Sequence, residues 1–317
     1  MTDTRNEVFK TPVNKIRLFE HGAPGSQNFK LTRKYYTEDM PDGRVKHIVQ
    51  NITDPDIVPY IPDGIGNSTD RQRIPAVLII PGGAFRRLVY NFEGEDVAKW
   101  LNSMGIAAFV LECRLPSDEH DNAEDVPLID AMRAMRVIRG RAQEFGIDEA
   151  KIGVMGFSAG GFMAALLSTA YESDVYADYK YKDEYDKLSA RPDFAVCSYP
   201  VISIDDCIEA GKRYMSEEQV LERISDSKAK ILHKYNPDKL VRPDMPPVFI
   251  CETDDDRTTL SENSVGFYMA ARKAGVSAEL HIFRTGGHGY GCGDDFAQTG
   301  EWKVLFTKWI KSIGIIS

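Results

Sequence analysis

The chain has 317 residues, of which 43% are apolar, 27% charged and 10% aromatic, and its formal net charge at pH 7 is −9. This length and composition predict one large globular domain with a substantial buried core, and they exclude a largely disordered chain. An acidic chain without a run of Lys or Arg is not typical of a nucleic-acid-binding protein or of one that docks on anionic lipid. No stretch approaches the length of about 18 apolar residues that a membrane span needs.

The N-terminal region, up to about residue 75, is irregular and rich in Pro, Gly and Asp. We interpret it as edge strands of the same domain, with a strand at Val45–Asn51 and an antiparallel neighbour at Leu31–Tyr36. The first 16 residues have no apolar core after their first basic residue. They therefore predict no signal peptide.

Beyond residue 75 the chain alternates short apolar runs with longer helical patterns. The apolar runs are nearly continuous, as in strands buried on both faces: Ala76–Ile80, Ala107–Cys113, Lys151–Met155, Phe194–Tyr199, Val248–Glu252 and Glu279–Phe283. Apolar residues recur at helical spacing in the segments between and after them: Glu93–Met104, Leu128–Phe145, Gly160–Tyr171, Ser261–Ala274 and Glu301–Ile313. This alternation predicts a mostly parallel, doubly wound α/β sheet in a single domain, 1–317.

Two long segments interrupt the alternation. Segment 171–192 is charged and contains five tyrosines (Tyr171, Tyr176, Tyr179, Tyr181 and Tyr185), and segment 203–247 is mostly polar and helical in pattern. Both are too long to be simple turns, so we expect them to form lid-like insertions over the active site.

The five cysteines are scattered and include no Cys-x-x-Cys pair. Such spacing gives no indication of a metal site or a redox pair. Cys113, Cys197 and Cys251 lie in apolar strand-like runs, where a thiol packs as a small hydrophobic group. We therefore expect a reduced, cytoplasmic protein.

The main chemical motif is Gly156-Phe157-Ser158-Ala159-Gly160, placed between a predicted strand and an apolar helix. A serine at a sharp strand-to-helix turn projects its hydroxyl into a cleft, and flanking glycines allow the strained backbone. The helix N-terminus favours a developing oxyanion. The bare pattern also arises by chance, but this context favours a nucleophilic Ser158 over a structural turn serine.

The strand Ala76–Ile80 runs into Pro81-Gly82-Gly83-Ala84-Phe85. Glycines here let backbone N–H groups point at one oxygen atom, as an oxyanion hole requires. The predicted donors are the amides of Gly83, Ala84 and Ala159, and the alternative is an ordinary strand-end turn.

His288 lies among four glycines just after the last predicted strand, on a loop able to reach the serine. An imidazole there can act as the general base that activates a serine. The other five histidines lack such a setting. His281 is interpreted as structural, and His120, in an acidic loop at 117–125, as part of a solvated loop because no metal-ligand spacing is recognisable.

A serine and a histidine of this kind usually act with a third residue, an acid, in a catalytic triad. Where the serine lies on a strand-to-helix turn of an α/β sheet, the triad has the chain order Ser, Asp, His, so the acid is expected after the strand Val248–Glu252. Asp254, Asp255 and Asp256 follow that strand directly. Their chemistry leaves all three open as the acid that orients His288. The two unused carboxylates are expected to cap a helix or to be solvated.

Several segments together resemble the α/β-hydrolase esterase family that contains acetylxylan esterases and bifunctional acetylxylan/feruloyl esterases. The resemblance covers most of the chain from about residue 74 to the end, and the N-terminal HGAPGSQNF is similar as well. The segments are LIIPGGAF, EGEDVAKWLNSMGIAAFVLECRLP, GVMGFSAGGFMAA, RPDFAVCSYPVIS, the ENS at 262–264, AELHIFRTGGHGYG and the tryptophans Trp302 and Trp309.

The resemblance implies an α/β-hydrolase fold and a triad of Ser158, Asp256 and His288, with Asp255 as the second choice for the acid. It implies a serine carboxylesterase that removes acetyl groups from acetylated xylo-oligosaccharides or related sugars through an acyl-enzyme. With such a substrate, the tyrosines of segment 171–192 fit two roles equally well, stacking on sugar rings or packing within the lid. No cofactor and no metal are implied. The expected partner is a small-molecule ester, and homo-oligomerisation is left open.

The chain departs from the family pattern at two places. Thr258, Thr259 and Leu260 stand where the family has Val-x-Pro, and we expect this to change the packing of the loop more than its chemistry. Ala84 stands where the family has a third glycine, and we expect its methyl group to favour small acyl groups.

Other functions fit the sequence less well. A general small-acyl carboxylesterase differs from the implied enzyme only in the contents of its pocket. A prolyl peptidase would need room for a propeller domain, and a lipase an apolar lid, whereas the insertions here are charged. A hydrolase-derived binding protein is disfavoured because a serine, a histidine and a candidate acid are all present.

Overall fold

The computed structural model describes residues 9, 13–64, 73–118, 120–216, 218–220, 227–293 and 298–317. Within these residues, eight strands form one sheet in the order β1-β4-β7-β5-β8-β9-β10-β11, and three form a small second sheet in the order β2-β3-β6. The strands are β1 (Ile16–Arg17), β2 (Lys34–Asp39), β3 (Val45–Gln50), β4 (Asp56–Tyr60), β5 (Ile74–Ile80), β6 (Leu88–Val89), β7 (Ala107–Glu112), β8 (Ile147–Phe157), β9 (Ala195–Ser198), β10 (Val248–Thr253) and β11 (Ala278–Phe283).

Helices cover both faces of the large sheet. Among the described residues they are α1 (Asp96–Ser103), α2 (Val126–Gly140), α3 (Ala159–Ala170), α4 (Ile204–Tyr214), α5 (Ser227–Lys234), α6 (Ser261–Lys273) and α7 (Glu301–Ser312). Trp100 of α1 meets Trp302 of α7 edge-on at a centroid distance of 4.9 Å. Helices α2 and α3 pack against each other, and both α3 and α6 contact the short turn Pro237–Lys239. None of the described helices is long and apolar enough to cross a membrane.

The large sheet is parallel from β7 to β11, because each neighbouring pair in that stretch runs in the same direction. Its central strands, β5 and β7–β10, are buried along most of their length, as their continuous apolar runs predict. The predicted strands and helices are all present, with ends shifted by a few residues. The predicted doubly wound α/β-hydrolase fold is confirmed.

The register of the parallel strands positions the functional residues. Ile80 pairs with Gly156, Phe157 with Ser198, and Ser198 with Cys251. The carboxyl ends of β5, β8, β9 and β10 therefore coincide, and the loops that follow them meet at one edge of the sheet. In open α/β sheets this edge is where ligands bind.

The N-terminal region is organised differently from the prediction. The expected antiparallel pair exists as β2 and β3, but these strands belong to the small sheet and not to the edge of the large one. The edge is formed by β4, which runs antiparallel to β7, and by β1, which runs antiparallel to β4. At two and five residues, these strands are too short to give a clear sequence pattern.

The tyrosine-rich segment 171–192 lies on the flank of the domain. Arg133 of α2 binds Asp183 and Asp186, and Arg136 of the same helix binds Tyr176. A Cβ on Gly140, at the end of α2, would lie 2.3 Å from the ring of Tyr185. The segment therefore packs along α2 on the flank of the domain, and none of these contacts involves the loops that carry Ser158, Asp256 or His288, so the structure does not place it over the active site as predicted.

The described part of segment 203–247 lies at the carboxyl edge of the sheet. Its helix α5 contacts residues 116–118, which follow β7. Just beyond α5, the Tyr235 hydroxyl donates to Asp125, before α2, at 2.5 Å. This position agrees with an insertion beside the active-site edge.

His120 is part of the core and not of a solvated loop, so that interpretation is wrong. It is 4% exposed. Its ring nitrogens lie 3.0 Å from the Ser26 hydroxyl and 3.1 Å from the carbonyl oxygen of Ile52. The side chains of Arg114 and Asp130, both fully buried, form an ion pair of 2.6 Å next to it. Arg114 also donates to Ser26 at 2.8 Å, so this cluster holds the N-terminal segment on the domain.

Candidate active site

Ser158 occupies the sharp turn between β8 and α3, at 8% exposure. Its backbone angles are φ 54° and ψ −117°, a strained conformation that costs about 1–3 kcal/mol. A Cβ on Gly156 would lie 1.9 Å from the carbonyl oxygen of Gly160, and one on Gly160 would lie 1.9 Å from that of Ile80. Only glycine fits at either position, which explains the spacing of the motif.

The loop after β5 lies directly against this turn. A Cβ on Gly82 would lie 2.9 Å from the Cβ of Ser158, so the close approach requires glycine. Gly83, Ala84 and Phe85 all have positive φ, at 135°, 56° and 59°. Three successive positive φ values make this a strained loop, since Ala84 and Phe85 are not glycines.

The predicted oxyanion donors remain available for a ligand. Across the part of the chain that the structure describes, the amides of Gly83, Ala84 and Ala159 donate to no protein acceptor. Ala159 is the first residue of α3, where the helix leaves its initial N–H groups unpaired. An anionic oxygen bound beside Ser158 would also gain from the positive end of the helix dipole.

The imidazole of His288 lies between Ser158 and Asp256. Its Nε2 is 2.8 Å from the Ser158 Oγ, and its Nδ1 is 2.6 Å from the Asp256 Oδ2. When Nδ1 is protonated and donates to the carboxylate, Nε2 can accept the serine proton. The structure thus brings the three predicted side chains into one chain of hydrogen bonds.

Asp256 is held as a carboxylate. It is 2% exposed, and its Oδ1 accepts the amides of Thr258 at 2.6 Å and Thr259 at 2.9 Å. Burial raises the pKa of the Asp256 carboxyl, but the hydrogen bond and charge of His288 and the two amides outweigh burial, so this pKa lies below its ordinary value.

The second-choice acid, Asp255, has different partners. Its Oδ1 accepts the amides of Gly286 at 3.0 Å and Gly287 at 2.8 Å. It therefore fixes the base of the loop that carries His288, a role that neither helix capping nor solvation describes. Asp254 is exposed, and its amide donates to the carbonyl oxygen of Phe283 at 2.8 Å.

Thr259 takes part in the chemistry of the site more directly than the sequence predicts. Its hydroxyl lies 2.9 Å from the Asp256 Oδ2 and 3.2 Å from the His288 Nδ1. The side chain is 1% exposed. The segment 258–260 therefore contributes a hydrogen bond to Asp256 through Thr259, and does not affect packing alone.

The ENS segment at 262–264 supports the site from behind. The Asn263 Oδ1 accepts the amides of Ile202 at 2.8 Å and Ser203 at 3.1 Å. The Ser264 hydroxyl donates to the buried Glu252, at the end of β10, at 3.2 Å. These contacts tie helix α6 to the start of segment 203–247 and to the strand that precedes Asp256.

Sequence reasoning missed two buried groups beside the site. The carboxyl group of Glu93 accepts the amide of Gly82 at 2.8 Å and the hydroxyl of Tyr199 at 2.9 Å. Both residues lie in segments that carry the family resemblance, but nothing in their spacing indicates that the two side chains meet. For metals, no group of three or more His, Cys, Asp and Glu side chains in the described ranges is arranged to hold an ion.

The sheet order and the strained serine turn define an α/β-hydrolase. A family model described as BD-FAE matches residues 65–270, and the chain therefore belongs to the BD-FAE family. This confirms the acetylxylan esterase family that the sequence resembles.

Two curated relatives are informative about the family. The chain is 31% identical over 240 residues to an acetylxylan esterase of Xylanibacter ruminicola, covering 75% of this chain and 45% of that protein. It is 29% identical over 269 residues to the endo-1,4-beta-xylanase B of Butyrivibrio fibrisolvens, covering 82% of this chain and 40% of that protein. The chain thus spans less than half the length of the curated relatives it matches.

Solved structures agree with this assignment. The acetyl ester-xyloside bifunctional hydrolase of Caldicellulosiruptor lactoaceticus is 35% identical with a TM-score of 0.69, over 96% of this chain and 97% of that one. An esterase of Thermogutta terrifontis, 23% identical with a TM-score of 0.64, covers 90% of this chain and 96% of its own and supports the fold. The chain falls in the class of carboxylic ester hydrolases, as the sequence predicts.

Proposed function

We propose that this protein is a serine esterase that removes acetyl groups from acetylated xylo-oligosaccharides or related sugars. The observation that carries the mechanism is the hydrogen-bond chain from Ser158 through His288 to Asp256. The names of the acetylxylan esterase and of the acetyl ester-xyloside hydrolase support the substrate class.

The proposed reaction begins when the Nε2 of His288 accepts the proton of the Ser158 hydroxyl, at their separation of 2.8 Å. The serine oxygen attacks the ester carbonyl, and a tetrahedral intermediate forms. Asp256 stabilises the imidazolium and keeps the ring in the required tautomer. His288 then protonates the leaving sugar oxygen, and an acetyl group remains on the serine.

Water completes the cycle, because His288 can activate it for attack on the acetyl-serine in the same way. In both steps the negative oxygen would be bound by the amides of Gly83, Ala84 and Ala159. A preorganised donor of this kind is worth about 10²–10³ in kcat. No cofactor enters any of these steps.

The acyl group is proposed to be small. Ala84 is exposed on the loop beside Ser158 and has φ 56°. Its methyl group occupies space that a glycine would leave open to the acyl chain. Efficient cleavage of long-chain acyl esters would contradict this part of the proposal.

The proposed cytoplasmic location rests on the sequence alone.

The substrate proposal is tested by the initial rate of acetate release from acetylated xylo-oligosaccharides, with Ser158→Ala as the blank. We expect rapid release from the natural chain and none above background from the variant. Absence of release, together with Ser158-dependent cleavage of aryl acetates, would make the protein a general small-acyl esterase and would overturn the carbohydrate substrate.

A further inference from the structure

Glu93 is a buried acidic residue that the proposed mechanism does not use. It lies in a π-helical turn, Asn91–Glu95, that leads into α1, and it is 5% exposed. Among the described residues, no Lys or Arg lies within ion-pair distance of its carboxyl group. A buried carboxylate without a cation needs several hydrogen-bond donors to remain in the fold.

The two donors to Glu93 come from the two sides of the site. Its Oε2 accepts the amide of Gly82, in the loop that carries the predicted oxyanion donors, at 2.8 Å. Its Oε1 accepts the hydroxyl of Tyr199, just after β9, at 2.9 Å. A Cβ on Gly82 would lie 2.7 Å from the Oε2, so the carboxyl group and the loop are in direct contact.

Tyr199 extends this connection to the loop that carries His288. Its hydroxyl oxygen accepts the amide of Gly291 at 3.0 Å. Its ring meets the imidazole of His288 edge-on at a centroid distance of 5.0 Å. Tyr199 is fully buried, with a strained φ of 38°, and its amide donates to the carbonyl oxygen of Cys251 at 2.7 Å. The side chain of Tyr199 is therefore held in one place, and it links Glu93 to the loop that carries His288.

We propose that Glu93 is a positioning residue that holds the Gly82 loop and the His288 loop in register on either side of Ser158. This inference rests on the proposed function, since it assigns a role to Glu93 in the same reaction. A carboxylate at this place also favours the protonated form of His288, which forms during each step of the proposed reaction.

Four polar or charged groups surround the carboxyl group of Glu93. His288, the hydroxyl of Tyr199, the amide of Gly82 and, from β3, Lys46 all act on its carboxyl group. Burial is the largest effect and raises the pKa of Glu93 above its ordinary value, although these four groups oppose burial. Both carboxylate oxygens receive a donor, an arrangement that suits the ionised form.

The test compares Glu93→Gln with Glu95→Gln, the same substitution two positions along. Glu95 pairs with Lys99 at 2.7 Å near the surface, and among the described residues no hydrogen bond or ion pair joins its carboxyl group to either loop, so it is the matched control. On an aryl acetate, we expect Glu93→Gln to lower kcat by about 10- to 100-fold with KM changed by less than about 3-fold. We also expect the acid limb of its kcat/KM profile to move to lower pH by about half a unit or more.

A second variant, Tyr199→Phe, keeps the ring against His288 but removes the hydroxyl that donates to Glu93 and accepts the amide of Gly291. We expect a smaller loss of kcat, about 3- to 10-fold, and a smaller movement of the acid limb than in Glu93→Gln, because the carboxyl group of Glu93 stays in place with the amide of Gly82 as its remaining donor. Circular dichroism and the thermal midpoint of each variant report whether it is folded.

Wild-type kcat and an unmoved acid limb in Glu93→Gln, while Ser158→Ala is inactive, would overturn the role of Glu93 alone. Retained turnover in Ser158→Ala would overturn the proposed function instead. A loss of kcat in Glu93→Gln with an unmoved acid limb and an equal loss of folded protein would show a purely structural role and would also overturn the inference.

Discussion

Replacing Asp256 by asparagine tests which of the adjacent aspartates orients His288. An asparagine has the same shape, and its Oδ1 can still accept the amides of Thr258 and Thr259, as the Asp256 Oδ1 does. Its NH₂ group must then take the place of the Oδ2, which lies 2.6 Å from the Nδ1 of His288. Two donors would face each other there.

The imidazole escapes this conflict by changing tautomer. With Nδ1 as an acceptor, the proton moves to Nε2, which faces the Ser158 hydroxyl at 2.8 Å and can no longer accept its proton. A triad with the wrong tautomer loses about 10⁴ in kcat. This loss corresponds to about 5 kcal/mol of transition-state stabilisation.

Asp255→Asn is the matched control, because the new side chain keeps an oxygen that can accept the amides of Gly286 and Gly287. We expect its kcat to stay within about 3-fold of the natural chain. Initial rates on an aryl acetate, with the thermal midpoint of each variant, measure both effects. Near-normal turnover in Asp256→Asn with an inactive Asp255→Asn would reverse the assignment and refute the reasoning about the tautomer.

Two further predictions concern Thr259, beside the site, and His120, in the core. Thr259→Val removes the hydroxyl bound to Asp256 while keeping the shape of the side chain, and we expect kcat to fall by about 3- to 10-fold. The control is Thr258→Val, which leaves the Thr258 backbone amide in place and should not change kcat. Equal rates in both variants would contradict the prediction. Burial and the charge of Arg114 lower the pKa of His120 from 6.5 to about 4, so the unfolded chain binds more protons than the folded protein between these values. Stability therefore falls as the pH drops from 6.5 towards 4, by up to about 3 kcal/mol. His120→Gln should flatten this part of the pH profile in urea unfolding, and an unchanged slope would show that another group controls it.

The sequence predicts the large sheet well, because strands buried on both faces must be apolar throughout. The runs at 76–80, 107–113 and 248–252 are of this kind, and each is a strand within a few residues of its predicted ends. The short edge strands Ile16–Arg17 and Asp56–Tyr60 have no such pattern, since the first pairs with the second and the second pairs with β7, each partner distant in the chain. Periodicity does not report contacts of that range.

The site residues that could be predicted from the sequence are those marked by a local sequence pattern. Ser158 has flanking glycines that its turn requires, and His288 lies in a glycine-rich loop after a strand. Glu93 gives no comparable signal, because its hydroxyl donor, Tyr199, is 106 residues away in the chain. The burial of His120 is missed for a related reason. Its acidic neighbours in the chain predict a solvated loop, whereas its hydrogen-bond partners, Ser26 and Ile52, come from the distant N-terminal region.

The central claim is that Ser158 is the nucleophile, and covalent labelling tests it most directly. The protein is incubated with a fluorophosphonate, and the intact mass of the natural chain is compared with that of Ser158→Ala. We predict that one phosphonyl group is added to the natural chain, maps to the peptide containing Ser158 and is absent from the variant. Labelling of the variant to the same extent, or a natural chain that remains unmodified, would contradict the account.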